Sequence, residues 1–243
     1  MEFTISPLGN QALIVTFGED ISTELHEQVV TNYNALKEAD LVGVQGLVPT
    51  YRSIAVYYNW KIVNYEDMKQ AVESVVWQAN KDRAFKKGKT IYLPVCYEEE
   101  VAPDLKPLAQ YHNMTETDVI KLHSEPTYLV YMIGFLPGFP YVGGLNERLE
   151  TPRLETPRQQ VTSGSVGIAG KQTGVYPITS PGGWNIIGKT PIKLFDPKQK
   201  DPALFEIGDQ LRFEPVSSRE FIQIEQHARI KDFIVLRRSS SAN

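Results

Sequence analysis

Between Gly134 and Pro191, 58 residues hold 11 glycines and 7 prolines but only 8 charged side chains. Proline breaks helices and central strands, and glycine is favoured where the backbone must take a positive φ or approach a neighbour closely. A stretch this rich in both, yet varied in composition, therefore predicts an ordered, loop-rich region of short strands and tight turns. It holds 18 of the 33 glycines and prolines in the 243-residue chain. Pro126 to Asn146 also runs 21 residues without a charge. Pro137, Pro140, Gly134, Gly138, Gly143 and Gly144 would break a spanning helix there and leave backbone groups unsatisfied in lipid, which argues against a membrane segment.

Charge narrows the partners. With 25 Lys and Arg against 29 Asp and Glu, the net charge of −4 provides no basic excess for phosphate backbones, so nucleic acid is not expected. The single cysteine, Cys96, cannot form an intramolecular disulfide, and the start MEFTISPLGN lacks the basic and apolar regions of a signal peptide, so a cytoplasmic location is expected.

Periodicity predicts two domains, residues 1–88 and 89–243. In the first, Phe3 and Ile5, then Leu13, Val15 and Phe17, alternate as two short strands. Leu25, Val29, Tyr33 and Leu36 recur at helical spacing after the cap Ser22. Gly43–Val48 and Ser53–Tyr58 read as strands, and Asn64 opens a helix carrying Met68, Val72, Val75 and Ala79. A strand at Thr90–Tyr97 would close an antiparallel sheet with helices on one face, ferredoxin-like or a near relative. The charged segment Lys81–Lys89 reads as the interdomain turn. Two short helices, Leu105–His112 and Thr115–His123, follow. They carry too few cations for a DNA reader and are expected to pack. From Thr127 onward short apolar runs alternate with turns: Tyr128–Ile133, Ser165–Ala169, Trp184–Ile187, Ile192–Phe195, Gln210–Phe213 and Phe221–Gln226. Regular strands without helices between them predict a closed or sandwiched β domain. The end of the chain, with Arg237, Arg238 and Ser239–Ser241, reads as a mobile tail.

Familiar catalytic signatures are missing. A phosphate loop fails at Ser165 and at Gln172, which follows Gly170 and Lys171. There is no second cysteine for a zinc cluster, and His26, His112, His123 and His227 are scattered, so no metal site is expected. Cys96 reads as an inert buried thiol, and the Met68-Lys69 pair lacks the second methionine of a biotin attachment site. What remains is Gly164, Gly167, Gly170 and Gly174, spaced by three, three and four, with Lys171 beside them and Arg153 and Arg158 each directly after a proline. Two readings fit: an anion surface of backbone N–H groups and guanidinium forks, or tight barrel turns with surface ion pairs. Phe135, Leu136, Phe139, Tyr141 and Trp184 are likewise either core aromatics and aliphatics or the wall of a binding surface.

Four strings carry a resemblance: GFLPGFPYVGGL at Gly134–Leu145, PRLETPRQQV at Pro152–Val161, SGSVGIAGKQTGVYP at Ser163–Pro177 and SPGGWNIIGKTP at Ser180–Pro191. With PVCY at Pro94–Tyr97, PDL at Pro103–Leu105 and LFDP at Leu194–Pro197, they resemble the family of the 5-oxoprolinase B subunit, also called allophanate hydrolase subunit 1 or carboxyltransferase subdomain C/D. Gly9-Asn10 and Glu98-Glu99 depart from the Gly-Asp and Gly-Gly common in that family. The resemblance implies an α+β chain: an N-terminal ferredoxin-like α/β domain and a C-terminal cyclophilin-like β-barrel. It implies a component, inactive alone, of an enzyme that opens 5-oxoproline to glutamate with ATP and Mg, in complex with the A and C subunits of 5-oxoprolinase. It extends to a member that inhibits a sporulation sensor histidine kinase at its dimerisation domain, with a relative of the C subunit as anti-inhibitor. The alternatives are an inhibitor or binding protein with no catalytic role, and a component of a biotin-dependent carboxyltransferase or allophanate hydrolase-like enzyme, with biotin on another chain. A lactam is a poor electrophile, and phosphorylating its oxygen makes attack by water feasible, which calls for cations and N–H donors around phosphate and carboxylate. Lys171, Arg153 and Arg158 match the catalytic part of that need, and Gly164, Ser165, Gly167, Gly170, Gln172 and Gly174 the binding part. Phe135, Leu136, Phe139, Tyr141 and Trp184 form the expected partner-binding patch.

Overall fold

The computed structural model describes residues 3–20, 22–82 and 88–227. The chain divides into two compact units, Met1–Lys87 and Gly88–Asn243. The mobile-tail expectation falls outside the described residues, as do residues 83–87 of the expected interdomain turn.

In the first unit the order is β1 (Thr4–Pro7), β2 (Ala12–Thr16), α1 (Thr23–Ala39), β3 (Val44–Pro49), β4 (Ser53–Tyr58) and α2 (Tyr65–Asp82). The sheet runs β1-β2-β4-β3, and every pairing is antiparallel. It is thus a pair of hairpins, each followed by a helix, whereas a ferredoxin-like chain alternates as βαββαβ. Period-two alternation places Leu13, Val15, Ile54 and Val56 on one face, where they meet Val29 and Leu36 of α1 and Met68, Val72 and Val76 of α2. Ser22 caps α1 by accepting the Leu25 N–H at 3.1 Å, and Asn64 does the same for Asp67 N–H at 2.9 Å.

The strand expected to close that sheet belongs elsewhere. β5 (Thr90–Cys96) lies in the second unit, parallel to β13 (Gln210–Val216) from Thr90↔Gln210 to Cys96↔Val216. Buried Ile91, Leu93 and Val95 give it an inward face in a barrel core, and its partner is supplied from 120 residues further on.

α3 (Leu105–Tyr111) and α4 (Glu116–Ser124) follow, with Leu105, Leu108, Ala109 and Val119 packed into the barrel cluster as the packing reading expects. Then come β6 (Tyr128–Ile133), β7 (Pro140–Gly143), a 3₁₀ turn (Glu147–Leu149), β8 (Arg158–Val161), β9 (Ser165–Ala169), β10 (Gln172–Val175), β11 (Ser180–Gly182) and β12 (Asn185–Lys189). Seven strands close a barrel in the order β10-β7-β6-β13-β5-β12-β9, and β8 pairs with β11 alongside.

Two expected strands are corrected. Ile192–Phe195 forms no strand: Leu204 N–H donates to the Leu194 carbonyl and Asp196 N–H to the Pro202 carbonyl, which closes a loop, and only Phe195 makes a single bridge to Ala203. Phe221–Gln226 belongs to α5 (Ser218–His227). A box explains this helix: Glu220 accepts from Ser217 N–H at 2.9 Å, and Ser217 Oγ accepts from Glu220 N–H at 3.3 Å. Glu98 accepts from Ser218 N–H at 2.8 Å and from the Ser218 hydroxyl at the same helix start.

Candidate functional site

The β6–β7 connection turns through Gly134–Phe139. Gly138 takes φ +79 with its Cα against Phe195, so a side chain there would meet Phe195 Cβ at 2.9 Å. Phe135 takes φ +66 and is 75% exposed, an uncommon backbone conformation for a bulky residue. Phe139, by contrast, is buried, and its ring meets Tyr141, Tyr176 and Trp184 edge-on at 5.1, 6.0 and 5.7 Å. Gly174 on β10 makes room for that cluster: a Cβ there would lie 3.1 Å from Phe139 Cζ and 3.2 Å from Trp184 Cζ3. Gly182 does the same for Tyr176, whose hydroxyl would clash with any side chain at that position.

These residues wall a cleft of about 140 Å³, with Phe135 at its mouth, Arg153 and Gln172 among its lining, and Pro181–Gly183 closing one side. Burial raises the pKa of Tyr141 and Tyr176 above the ordinary tyrosine value, and in both cases the positive charge of Arg153 works against that rise. Both phenols are therefore protonated donors at neutral pH beside a guanidinium. Among the described residues no carboxylate lies within ion-pair distance of Arg153. Aromatic walls with one fixed cation and phenolic donors suit a small ring bearing one negative charge.

Arg158 is used differently. Its Nη2 lies 2.7 Å from Asp104 Oδ1, and its Nη1 donates to the Trp184 carbonyl at 3.4 Å. Asp104 Oδ2 accepts the Ile186 N–H at 2.6 Å, so the pair ties the start of α3 to β8 and β12. Lys171 stands at the β9–β10 turn, its side chain 77% exposed and 3.9 Å from Glu150.

The glycines do not converge on one ligand. Gly164 takes φ +85, donates its N–H to Tyr176 O at 2.7 Å, and packs so closely that a Cβ would meet Thr190 O. Gly170 N–H goes to Thr151 O at 2.6 Å, Ser165 N–H to Thr162 O at 3.2 Å, and Gly167 pairs with Gly174 in the β9–β10 ladder. These N–H groups close barrel turns. Of the residues expected to bind a phosphate, only Gln172 lines the cleft, and of those expected to be catalytic, only Arg153 does. From the expected partner patch Phe135, Phe139, Tyr141 and Trp184 line it, and Leu136 packs against their cluster. Sequence reasoning misses Tyr176, which lies in the SGSVGIAGKQTGVYP string, and Asp104 of the PDL string.

Behind β10 lies a buried polar chain. His123 Nδ1 is 2.8 Å from Tyr97 Oη, its Nε2 is 2.8 Å from Thr173 Oγ1, and Thr173 Oγ1 donates to Gly167 O at 3.1 Å. Since Thr173 spends its proton on the carbonyl, His123 Nε2–H donates to Thr173 and Nδ1 accepts from the Tyr97 hydroxyl. Desolvation lowers the imidazole pKa to about 3, so the ring is neutral. Cys96 is buried, with its Sγ 4.0 Å from Ser218 Oγ. Among the described residues no three His, Cys, Asp or Glu side chains gather as a metal site, and no helix is long and apolar enough to cross a membrane.

Known proteins share this sequence and fold. The family model for the carboxyltransferase domain, subdomain C and D, matches residues 3–205. The B subunit of 5-oxoprolinase from Bacillus subtilis is 36% identical over 231 residues, covering 91% of this chain and 96% of that protein. The B subunit of 5-oxoprolinase from Haemophilus influenzae is 40% identical over 210 residues, covering 86% and 96%. The crystal structure of TTHA0988 superposes with a TM-score of 0.76 at 29% identity over 85% of this chain, which spans 40% of that longer protein.

Proposed function

The chain belongs to the carboxyltransferase subdomain C and D family, and from that premise we propose that it is the B subunit of an ATP-dependent 5-oxoprolinase, inactive alone and completed by A and C partner subunits. The observation that carries this reading is the near end-to-end similarity to two proteins named as that subunit. The chemistry supports a subunit role. The cleft offers a guanidinium and phenolic donors for binding, but its lining contains no carboxylate, histidine or thiol to act as base or nucleophile.

On this reading ATP is held by the partners rather than in this cleft. A volume of about 140 Å³ is below the roughly 300–1,000 Å³ of ordinary small-molecule sites, and the backbone N–H groups of Gly164 and Gly170 are already donated. Those N–H groups beside Lys171 are therefore not free for a triphosphate, and on this reading the chain supplies substrate-side contacts.

Reconstitution tests the reading: purified A, B and C subunits with 5-oxoproline and ATP should release glutamate only when all three are present. Lys171→Ala should lower turnover if the exposed ammonium meets a partner-held phosphate. Glutamate release of equal rate without this chain would overturn the proposal. A second reading, inhibition of a sensor histidine kinase through its dimerisation domain, draws on the exposed Phe135 beside the cleft. Titration of that kinase domain with the chain decides it, and no complex at micromolar concentration would exclude direct inhibition.

A further inference from the structure

Phe135 breaks two ordinary rules at once. Its backbone sits at φ +66, where a bulky L-residue is strained, and the residue is 75% exposed, so its apolar side chain gains little from burial. Both costs fall on one residue at the mouth of the cleft that unites aromatic walls with Arg153. The strained residue is also held rather than loose. Leu136 N–H donates to Gly134 O at 2.8 Å, Phe139 N–H to Leu136 O at 3.0 Å, and Gly134 N–H to Phe139 O at 3.2 Å, so the loop around Phe135 is closed by its own backbone. The Phe135 ring stands edge-on to Phe139 at 6.1 Å.

We infer that this cleft recognises a small cyclic monocarboxylate, with Arg153 taking the carboxylate, the ring lying against Phe139 and Trp184, and Phe135 serving as the outer wall that the bound ring covers. The inference rests on the 5-oxoprolinase reading and deepens it by assigning a substrate contact to this chain. The lining narrows the ligand class. It contains one fixed cation and no fixed anion, which suits a single negative charge. Phe135, Phe139, Tyr141, Tyr176 and Trp184 line it with aromatic surface, and a volume of about 140 Å³ suits one small ring better than a nucleotide. A ring ligand lying against Phe135 buries the exposed side chain and so offsets the cost of holding it there.

Calorimetric titration of the isolated full chain, read alongside tryptophan fluorescence, tests this with three ligands: L-5-oxoproline, its lactam without the carboxylate (pyrrolidin-2-one), and free acetate. 5-Oxoproline should bind at least about tenfold more tightly than either fragment, because a charge-assisted fork and a ring contact act together. Arg153→Gln should weaken 5-oxoproline about tenfold and leave pyrrolidin-2-one unchanged, with Arg153→Lys between the two. Phe135→Ala should weaken both ring ligands severalfold and leave acetate unchanged. Arg153 and Phe135 are both exposed, so the variants should fold, and circular dichroism checks that.

Equal affinity for 5-oxoproline and pyrrolidin-2-one, or no binding at tens of millimolar, would overturn the inference. So would a Phe135→Ala variant that binds 5-oxoproline normally but fails to assemble with the partner subunits, since the mouth would then be a protein interface. The subunit reading fails separately. A chain that binds 5-oxoproline as described but adds nothing to turnover by the A and C subunits sinks that reading, whereas full reconstitution without binding by this chain sinks only the present inference.

Discussion

His123 Nε2 lies 2.8 Å from Thr173 Oγ1, which joins a neutral imidazole inside the barrel to the strand whose neighbouring residues, Gln172 and Gly174, meet the cleft and its aromatic walls. This bond carries a stability that depends on pH. The folded-state pKa of His123 is about 3, depressed from 6.5, so below pH 6.5 the unfolded chain takes up a proton that the folded chain refuses. Its contribution is fully present above pH 6.5 and is lost as pH falls toward 3. From this residue the unfolding free energy should fall by roughly 2 kcal/mol between pH 6.5 and 5, at about 1.4 kcal/mol per pH unit. Urea unfolding at the two pH values measures it. His112, lowered by burial as well, adds a smaller loss of the same sign. A His123→Gln variant should be less stable at pH 7 but show a slope flatter by about that amount; an unchanged slope would mean the imidazole does not stay neutral in the fold.

Two glycines with positive φ should respond unequally to alanine. Gly164, at φ +85, would place a Cβ against the Thr190 carbonyl, a backbone atom that cannot swing away. Gly170, at φ +56, has nothing within 4 Å of that position. Gly170→Ala should therefore cost only the left-handed strain of about 1–2 kcal/mol, and Gly164→Ala at least about 3 kcal/mol. Thermal unfolding of the two variants checks the order, and comparable losses would contradict the packing described.

Arg158→Ala should destabilise the second unit by about 2 kcal/mol. The substitution leaves Asp104 buried without its cation while Asp104 still accepts the Ile186 N–H, and removing one partner of such a pair costs more than the pair contributes. Partial exposure of the Arg158 side chain keeps the figure below that of a fully buried pair. Lys171→Ala is the control. Its 3.9 Å contact with Glu150 lies in solvent and should change stability by less than about 1 kcal/mol. Equal losses in the two variants would remove the distinction between a clamp and a surface contact.

The parts of this fold readable from sequence are those set by neighbours in the chain. Alternation at Leu13, Val15, Ile54, Val56 and the cap Ser22 specify the hairpins and α1 directly. Local pattern puts β5 in the wrong sheet, because its parallel partner, Gln210–Val216, is supplied by a contact of long sequence separation that no local pattern encodes. Phe221, Ile222 and Ile224 also fit a strand, and the signal that decides for helix is the Ser217-to-Glu220 capping box. At the site, the aromatic residues and Arg153 are legible as residue types, and their meeting in one cleft is not. The glycines that resemble an anion cradle serve ladders and turns, because their N–H groups find carbonyls of Tyr176 and Thr151 that only the closed barrel brings near.

Gly174→Ala separates the cleft from the fold. At this position the backbone is ordinary β-strand, so no left-handed strain arises, and the new Cβ would press on Phe139 Cζ at 3.1 Å and Trp184 Cζ3 at 3.2 Å. Both contacts are with ring edges rather than backbone, and a shift of a few tenths of an ångström relieves them. The stability loss should therefore stay near about 1 kcal/mol, within the range for modest overpacking. The shift is directed along the edge-on contacts that Phe139 makes with Tyr141, Tyr176 and Trp184, the walls of a cleft of only about 140 Å³. A displacement of that size in so small a site should cost about tenfold or more in affinity for a ring ligand, since close-packed walls cannot absorb it elsewhere. Gly182→Ala displaces Tyr176 in the same cleft and should cost affinity as well, with a larger stability loss than Gly174→Ala because its Cβ would overlap the buried Tyr176 ring and hydroxyl. Titration with 5-oxoproline beside thermal unfolding measures both. If Gly174→Ala lowered stability sharply and left binding intact, Phe139 and Trp184 would be core residues alone, and the aromatic cluster would have no part in recognition.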